Sequence, residues 1–192
     1  MNVELGETFV LAIGEWQVVV ASGVPLIIDD YRDHARLSER FPGGGRDDHG
    51  FLFVGIQRPR EEWPSLVVTQ SFGPAEMGFN PGVLIVPATE RVFIGAGTRI
   101  LCYAPDGLGW RREWEEETSV GFCGWRQHGD VVVMSEELEL AAWTTDGRKL
   151  WTTFVEPPWS YSVADDVVRL DVMGAASEFP LREGPRTRGR RR

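Results

Sequence analysis

Apolar and polar positions alternate with a period of two through most of the chain after Asn80. The alternating runs are rich in Val, Ile, Trp, Tyr and Phe, and residues that favour turns separate them at short intervals. This pattern is typical of antiparallel β-strands. It predicts strands at 83–87, 92–95, 99–104, 110–114, 120–125, 131–134, 138–143, 149–155, 160–164, 167–172 and 177–181. Tight turns are predicted between them at 105–107, 128–130, 146–147 and 165–166, where Asp and Gly occur.

The first 80 residues alternate less regularly. Strands are expected at 7–13, 16–22, 24–29, 50–57 and 65–72, because these runs are rich in Val, Ile, Leu and Phe. Between them, residues 29–50 are expected to form a loop that begins with a short helical turn from about Tyr31 to Arg40. Helix is therefore a minor part of the prediction.

Three segments of the second half can be aligned as an internal repeat. They are "RVFIGAGTRILCYAPDGLGWRREW", "DVVVMSEELELAAWTTDGRKLWTTF" and "DVVRLDVMGAASEFPLREGP". Val92 and Val131 are 39 residues apart, and Val131 and Val167 are 36 apart. This period is the length of one four-stranded unit.

The strings "AAWTTDGRKLWTTF" and "LCYAPDGLGWRREW" resemble the repeat of pyrroloquinoline-quinone-type and related β-propellers. The resemblance covers residues 83–184 and implies four-stranded blades. It implies no activity, because folds with many functions share this structural motif. No cofactor is expected, since no cofactor ligand of the quinone enzymes can be assigned to a residue of this sequence.

The expected fold is all-β, with repeated antiparallel β-meanders that form a small propeller-like array and little helix. Four to five blades, or an open partial propeller, fit the repeat count. Residues 1–184 are expected to be one domain, with clear repeats at 83–184 and a less regular β region at 1–82. In a closed ring, residues 7–13 would supply the strand that the third repeat lacks. A basic disordered tail is expected at 185–192.

The composition agrees with a globular protein, since 42% of the 192 residues are hydrophobic and 26% are charged. The first residues do not have the positive charge of a secretory signal, and no run approaches the roughly 18 apolar residues of a membrane helix. A soluble, cytoplasmic protein without a membrane partner is therefore expected. Cys102 and Cys123 lie in apolar runs and are expected to be buried free thiols.

Charge is distributed unevenly along the chain. The formal net charge is −9, but residues 182–192 contain six Arg and one Glu, so residues 1–181 carry −14. An acidic body disfavours nucleic acid and favours a protein partner, with a basic protein as the specific case; the alternative is that the charge serves only solubility. Nucleic-acid binding stays open for the Arg-rich tail.

Two kinds of candidate binding residue follow. The acidic residues Glu115, Glu116, Glu117, Glu136 and Glu137 are expected at a loop or rim, where they would meet a basic partner or form a solvated face. Trp159, after Pro157 and Pro158, and Trp125 could stack on a sugar or anchor a protein, or could only pack. By contrast, we expect the aromatic residues Tyr103, Trp110, Trp143 and Trp151 in the core between blades.

A local set of carboxylates and imidazoles is the candidate metal site. It consists of Asp30, Asp33, His34, Asp48 and His49, and such ligands could hold a divalent ion that activates water. The spacing matches no known metal motif, so a solvated loop is the alternative. Nucleophile signatures of hydrolases are also missing from the sequence.

The sequence thus predicts a non-catalytic binding or interaction protein, with an immunity-like or scaffold-like role as one form. The alternatives are a carbohydrate-binding or small-molecule-binding β-domain and a metal-dependent hydrolase that uses the Asp/His loop.

Overall fold

The computed structural model describes residues 8–43, 50–73 and 80–186. These residues are mostly β-strand and contain one short helix. The elements are β1 Thr8–Ile13, β2 Trp16–Ala21, α1 Ile28–His34, β3 Leu37–Phe41, β4 Gly50–Gln57, β5 Leu66–Phe72, β6 Gly82–Val86, β7 Arg91–Ala96, β8 Arg99–Asp106, β9 Gly109–Glu117, β10 Phe122–His128, β11 Val131–Glu136, β12 Glu139–Thr144, β13 Lys149–Phe154, β14 Trp159–Ala164, β15 Val167–Val172 and β16 Ala175–Pro180.

The strands form four sheets. The N-terminal sheet has the order β1-β2-β4-β5-β3, the second sheet β6-β7-β8-β9, the third β10-β11-β12-β13 and the fourth β14-β15-β16. All neighbouring strands pair antiparallel except β3 and β5, which are parallel. The all-β prediction is confirmed, and so is each strand predicted after Asn80, with ends that shift by a few residues.

Two predictions for the first half are wrong. Residues 24–29 are not a strand, because α1 begins at Ile28. The helical turn expected from Tyr31 to Arg40 ends at His34, and residues 37–41 form β3 at the edge of the sheet. The chain extends at this point because the backbone of β3 pairs with β5, about thirty residues further along the sequence.

Consecutive sheets pack face to face through separate hydrophobic clusters. The cluster between the N-terminal and second sheets includes Trp16, Tyr103 and Trp110. The Tyr103 hydroxyl donates a hydrogen bond to Glu39 Oε2 at 2.6 Å, which ties β8 to the unexpected strand β3. Further clusters join the second sheet to the third and the third to the fourth. The four sheets therefore form a sequential stack.

The glycine turns at Asp146-Gly147 and Glu183-Gly184 have a packing role in this stack. Trp114 of β9 donates its indole N–H to the carbonyl of Gly147 at 2.7 Å, in the turn of the next sheet. Trp151 of β13 donates in the same way to Leu181 at 2.6 Å. Gly147 and Gly184 have positive φ, and a Cβ on Gly184 would clash with the Trp151 ring. Glycine is required here because the turn must accept a tryptophan from the preceding sheet.

The described residues form no closed ring. Strand β1 pairs with β2 in the N-terminal sheet, so the expectation that residues 7–13 complete the third repeat is wrong for the described strand. Ile28 and Tyr31 of α1 cover the outer face of the N-terminal sheet at Phe53 and Val67. At the other end, the outer face of the fourth sheet is polar and includes the Arg169–Glu178 ion pair. Within the described part of the chain, neither end of the stack packs against a further sheet.

No helix within the described ranges is long and apolar enough to cross a membrane. Residues 187–192, most of the predicted basic tail, lie outside the described residues.

Candidate functional site

The tryptophans predicted to be core residues are buried. Trp143 is 0% exposed and Trp151 is 8% exposed, while Tyr103 and Trp110 are 0% and 6% exposed. Their role is to join neighbouring sheets, as the sequence predicted.

Trp125 and Trp159 are half-buried and lie on neighbouring sheets. The Trp125 ring contacts the rings of Phe93, Phe122 and Trp143 at centroid distances of 5.3–5.6 Å. Trp159 donates its indole N–H to the Glu137 carbonyl at 2.8 Å, which links β14 to the β11–β12 hairpin. Both rings therefore make contacts that stabilise the stack, whatever ligand their exposed parts could bind.

The acidic run at the end of β9 is largely paired with basic side chains. Glu115 Oε1 accepts from Arg99 Nε at 2.9 Å, and its other oxygen lies 2.9 Å from Arg112. Glu116 lies 2.6 Å from Lys149 Nζ of the third sheet. Glu115–Glu117 lie at the end of the edge strand β9 and not in a loop. Because these pairs offset most of its charge, the run is a weaker attractor for a basic partner than the sequence suggests.

Glu136 does not lie on the expected rim. Its exposed fraction is 0%, and neither carboxylate oxygen has a hydrogen-bond partner. The reason is the length of β11, which extends to residue 136 and places Glu136 on the same face as the buried Val132 and Met134. Glu137, at the hairpin, is half-buried.

The metal candidates are only partly described. Asp48 and His49 lie outside the described residues, while Asp30, Asp33 and His34 belong to α1. The His34 ring stacks on Trp63 with centroids 4.5 Å apart, and its Nδ1 donates to the Asp30 carbonyl at 2.8 Å. Within the described ranges, no three His, Cys, Asp or Glu side chains are arranged to hold a metal ion.

The two cysteines differ in environment. Both are free thiols, and Cys102 is buried as predicted, but Cys123 is exposed. Burial, and then the charge of Glu113, raise the pKa of Cys102 far above its usual value. Partial burial, and then the charges of Glu136 and Glu137, raise the pKa of Cys123. Because the thiolate is the reactive form, both thiols are poor nucleophiles at neutral pH.

Alkylation kinetics should reflect this difference. In native protein at pH 8, one thiol should react with iodoacetamide, more slowly than free N-acetylcysteine, and the second should react only after unfolding. Mass spectrometry of the labelled peptides identifies the sites. Cys123→Ser should leave no thiol that reacts in the native state, and rapid labelling of Cys102 would contradict the burial seen here.

Exposed apolar side chains are concentrated in the N-terminal sheet and in the segment before α1. Six of the nine large hydrophobic side chains that are exposed in the described part of the chain lie between residues 9 and 27. They are Phe9, Val10 and Leu11 of β1, exposed by 54%, 63% and 52%, and Val24, Leu26 and Ile27 before α1, exposed by 44%, 85% and 44%. We call these six residues the apolar end surface.

Strand β1 makes this surface unusual. It is an edge strand, and its sequence, TFVLAI, is uncharged, with apolar residues on both faces. Edge strands usually carry a lysine, a proline or a bulge that prevents another strand from pairing with them. The sequence analysis missed this surface. The sequence did contain an indication of it, because the apolar run of β1 does not alternate with polar residues as a half-buried strand does.

Comparison with known proteins gives no further assignment. No protein-family model matches the sequence, and no curated protein matches it significantly. The resemblance to quinone-type propellers therefore has no support from a family or a homologue.

Proposed function

We propose that this chain is a non-catalytic protein-binding module and that its partner docks on the apolar end surface. The observation that carries the proposal is the concentration of exposed apolar side chains there. Groups of exposed large apolar side chains are uncommon on monomeric proteins and often mark interaction sites. Burying one such side chain contributes about 1.5–3 kcal/mol, so a few of them can support a specific complex.

The edge of β1 that pairs with no other described strand supplies the directional part of this interaction. The N–H and C=O groups on that edge can pair with an extended segment of the partner, as in other cases of strand addition. Phe9 and Leu11 also line a cavity of about 220 Å³ together with Pro81 and Val83, at the start of β6. A side chain of the added strand could enter this cavity and give selectivity.

Charge around the surface indicates the kind of partner. Asp29, Asp30 and Asp33 are exposed on α1, directly after Ile27. Arg32 lies 3.5 Å from Asp29, but an exposed pair at this distance offsets little charge. A partner with an apolar centre and basic residues around it complements this arrangement. The proposal thus keeps the basic partner and moves its docking site from the β9 acidic run to the end of the stack.

We also propose that the four sheets are the blades of an open, propeller-like array. The sequential packing of the sheets and the tryptophan–turn contact between them support this arrangement. A module of this kind works by occupying or holding another protein, as an immunity protein or a scaffold does. A cytoplasmic location agrees with its two free thiols.

Cross-linking from the end surface tests the proposal. A photo-reactive residue replaces Leu26, which is 85% exposed. In a control it replaces Leu108, which is 81% exposed and lies in the turn between β8 and β9 of the second sheet. Irradiation in cells of the source organism should give a discrete cross-linked protein from position 26 and none from position 108. Mass spectrometry identifies that protein.

A charge substitution then tests the edge strand. Val10→Lys should weaken binding of the cross-linked protein by at least about tenfold, because a lysine would lose its hydration in the pairing site. Phe154→Lys, at a side chain with 69% exposure on β13, should leave binding unchanged. Circular dichroism confirms that both variants fold. Equal cross-linking from positions 26 and 108, or unchanged binding by Val10→Lys, would rule out this docking site.

A further inference from the structure

A cavity of about 200 Å³ lies on the outer face of the N-terminal sheet, beneath α1. Its polar lining residues are Arg32, Arg40, Thr69 and Ser71. Ile28 and Phe51 form part of its apolar wall. No feature of the proposed protein-binding function requires this cavity.

The register of the sheet explains why these side chains meet. Arg40 of β3 pairs with Thr69 of β5, and Phe51 of β4 pairs with Ser71 of β5. Thr69 and Ser71 are two residues apart, so they and their paired residues project from the same face of the sheet. Helix α1 covers that face, and its residues Ile28 and Arg32 are one turn apart, so they share one side of the helix.

The charges that line the cavity do not balance. Arg32 lies 3.5 Å from Asp29 Oδ1, in a pair that is largely exposed. Arg40 has no ion-pair partner among residues 8–43, 50–73 and 80–186. Arg32 and Arg40 are the charged residues among the described residues that line the cavity, so its lining is positive and suits a ligand with a negative charge.

The remaining groups define the rest of the ligand. The Thr69 hydroxyl donates only a long hydrogen bond, 3.4 Å, to the Glu39 carbonyl, so it can donate its proton to a bound oxygen atom instead. Ile28 and Phe51 offer an apolar surface that a bare inorganic anion would leave unused. The volume accommodates roughly ten non-hydrogen atoms at the packing density of protein interiors.

We propose that this cavity binds a small monocarboxylate with an apolar body, such as a short aliphatic or aromatic acid. The carboxylate accepts paired hydrogen bonds from a planar guanidinium group, which is the arrangement that arginine forms best. The hydroxyl groups of Thr69 and Ser71 complete its hydrogen bonds, and the apolar body packs on Phe51 and Ile28. Because Arg32 belongs to α1 and Arg40 to β3, the bound acid also links the helix to the sheet.

Benzoate and hexanoate are suitable probes, measured by isothermal titration calorimetry and by thermal shift. We expect at least one of them to bind with a Kd of about 1 mM or lower, within the range that roughly ten atoms can provide. We also expect it to raise the melting temperature. Acetate and inorganic phosphate are charged but have no apolar body, and benzyl alcohol has an apolar body but no charge. Each should bind at least about tenfold more weakly.

Three variants locate the binding site. Arg40→Gln removes one guanidinium at an exposed position and should weaken binding of the probe acid by at least about tenfold, while Arg40→Lys should recover part of the affinity through its charge. Thr69→Val preserves the side-chain shape and should weaken binding by a smaller factor. Arg169→Gln is the control, because Arg169 is an exposed arginine of the fourth sheet, whereas the cavity lies on the N-terminal sheet.

Several results would overturn the proposal. One is that neither acid binds at about 10 mM, which is near the weakest measurable affinity. Another is that phosphate or benzyl alcohol binds as tightly as the acids. The last is that the folded Arg40→Gln and Thr69→Val variants bind the probe acid with unchanged affinity. These measurements use the chain alone, so they do not depend on whether a protein partner is found.

Discussion

Replacing Trp143 with alanine should lower the free energy of unfolding by about 4 kcal/mol. Trp143 is completely buried between the second and third sheets. Its ring is stacked on Trp114 with centroids 5.4 Å apart, meets Trp125 edge-on at 5.6 Å, and has Lys149 Nζ at 5.1 Å from its centroid. Alanine would leave a large cavity that two facing sheets cannot close without losing their other contacts.

The expected loss comes from packing alone. The indole N–H of Trp143 has no hydrogen-bond partner, so its removal breaks no hydrogen bond. Trp143→Phe, which keeps an aromatic ring and removes this unpaired donor, should therefore cost less than half as much as Trp143→Ala. Urea denaturation followed by circular dichroism measures both values.

Leu108→Ala provides the control, since Leu108 is 81% exposed in a turn. It should change the free energy of unfolding by less than about 0.5 kcal/mol. A loss below about 1 kcal/mol for Trp143→Ala would show that this ring does not hold the second and third sheets together.

The sequence predicts the second half of the fold well because local signals suffice there. Each of the strands β6–β16 pairs with its neighbour in sequence, so a run of alternating residues followed by a turn determines most of the structure. Trp143 and Trp151 occur at matching places around a "DG" turn, which is why their burial could be predicted from the repeat.

The first half depends on contacts that the local sequence does not encode. Strand β3 has the mixed sequence LSERF and pairs in parallel with β5. No hairpin turn connects these two strands, so the local sequence does not indicate the pairing. Leu37 and Phe41 do alternate with polar residues, but five residues of this kind fit a helix end equally well. The helix was therefore predicted too far along the chain.

The candidate sites show a similar division. The burial of the repeat aromatics could be predicted from the position of each residue in the repeat. The ion pairs of Glu115 and Glu116, by contrast, join residues that are 16 and 33 positions apart in the sequence. A run of glutamates therefore looks like a free acidic patch until its partners are placed. The two arginines of the cavity beneath α1 meet for the same reason, through the register of β3 with β5.

The burial of Glu136 could have been predicted from the sequence if the predicted strand had been extended by two residues. The predicted strand ended at Met134, which left Glu136 and Glu137 as a pair of surface charges. Two further residues of the same strand put Glu136 on the buried face, in line with Val132 and Met134. Its carboxylate loses its hydration there and gains no hydrogen-bond donor.

Replacing Glu136 should therefore stabilise the protein. Glu136→Met, which fills a similar volume without a polar group, should raise the free energy of unfolding by about 2 kcal/mol. Glu136→Gln removes the charge but keeps an unpaired polar group, so its gain should be smaller. Urea denaturation at pH 7 measures the order, which should be Met above Gln above the unmodified protein.

Glu116→Met is the matched control, because Glu116 is a partly exposed glutamate that pairs with Lys149. It should change the free energy of unfolding by no more than about 0.5 kcal/mol, since partly exposed ion pairs contribute little. If Glu136→Met instead lowered the free energy of unfolding by more than about 1 kcal/mol, a donor would have to reach the Glu136 carboxylate. Because Glu136 lies on the face of β11 that packs against the second sheet, such a donor would belong to the contact between the second and third sheets.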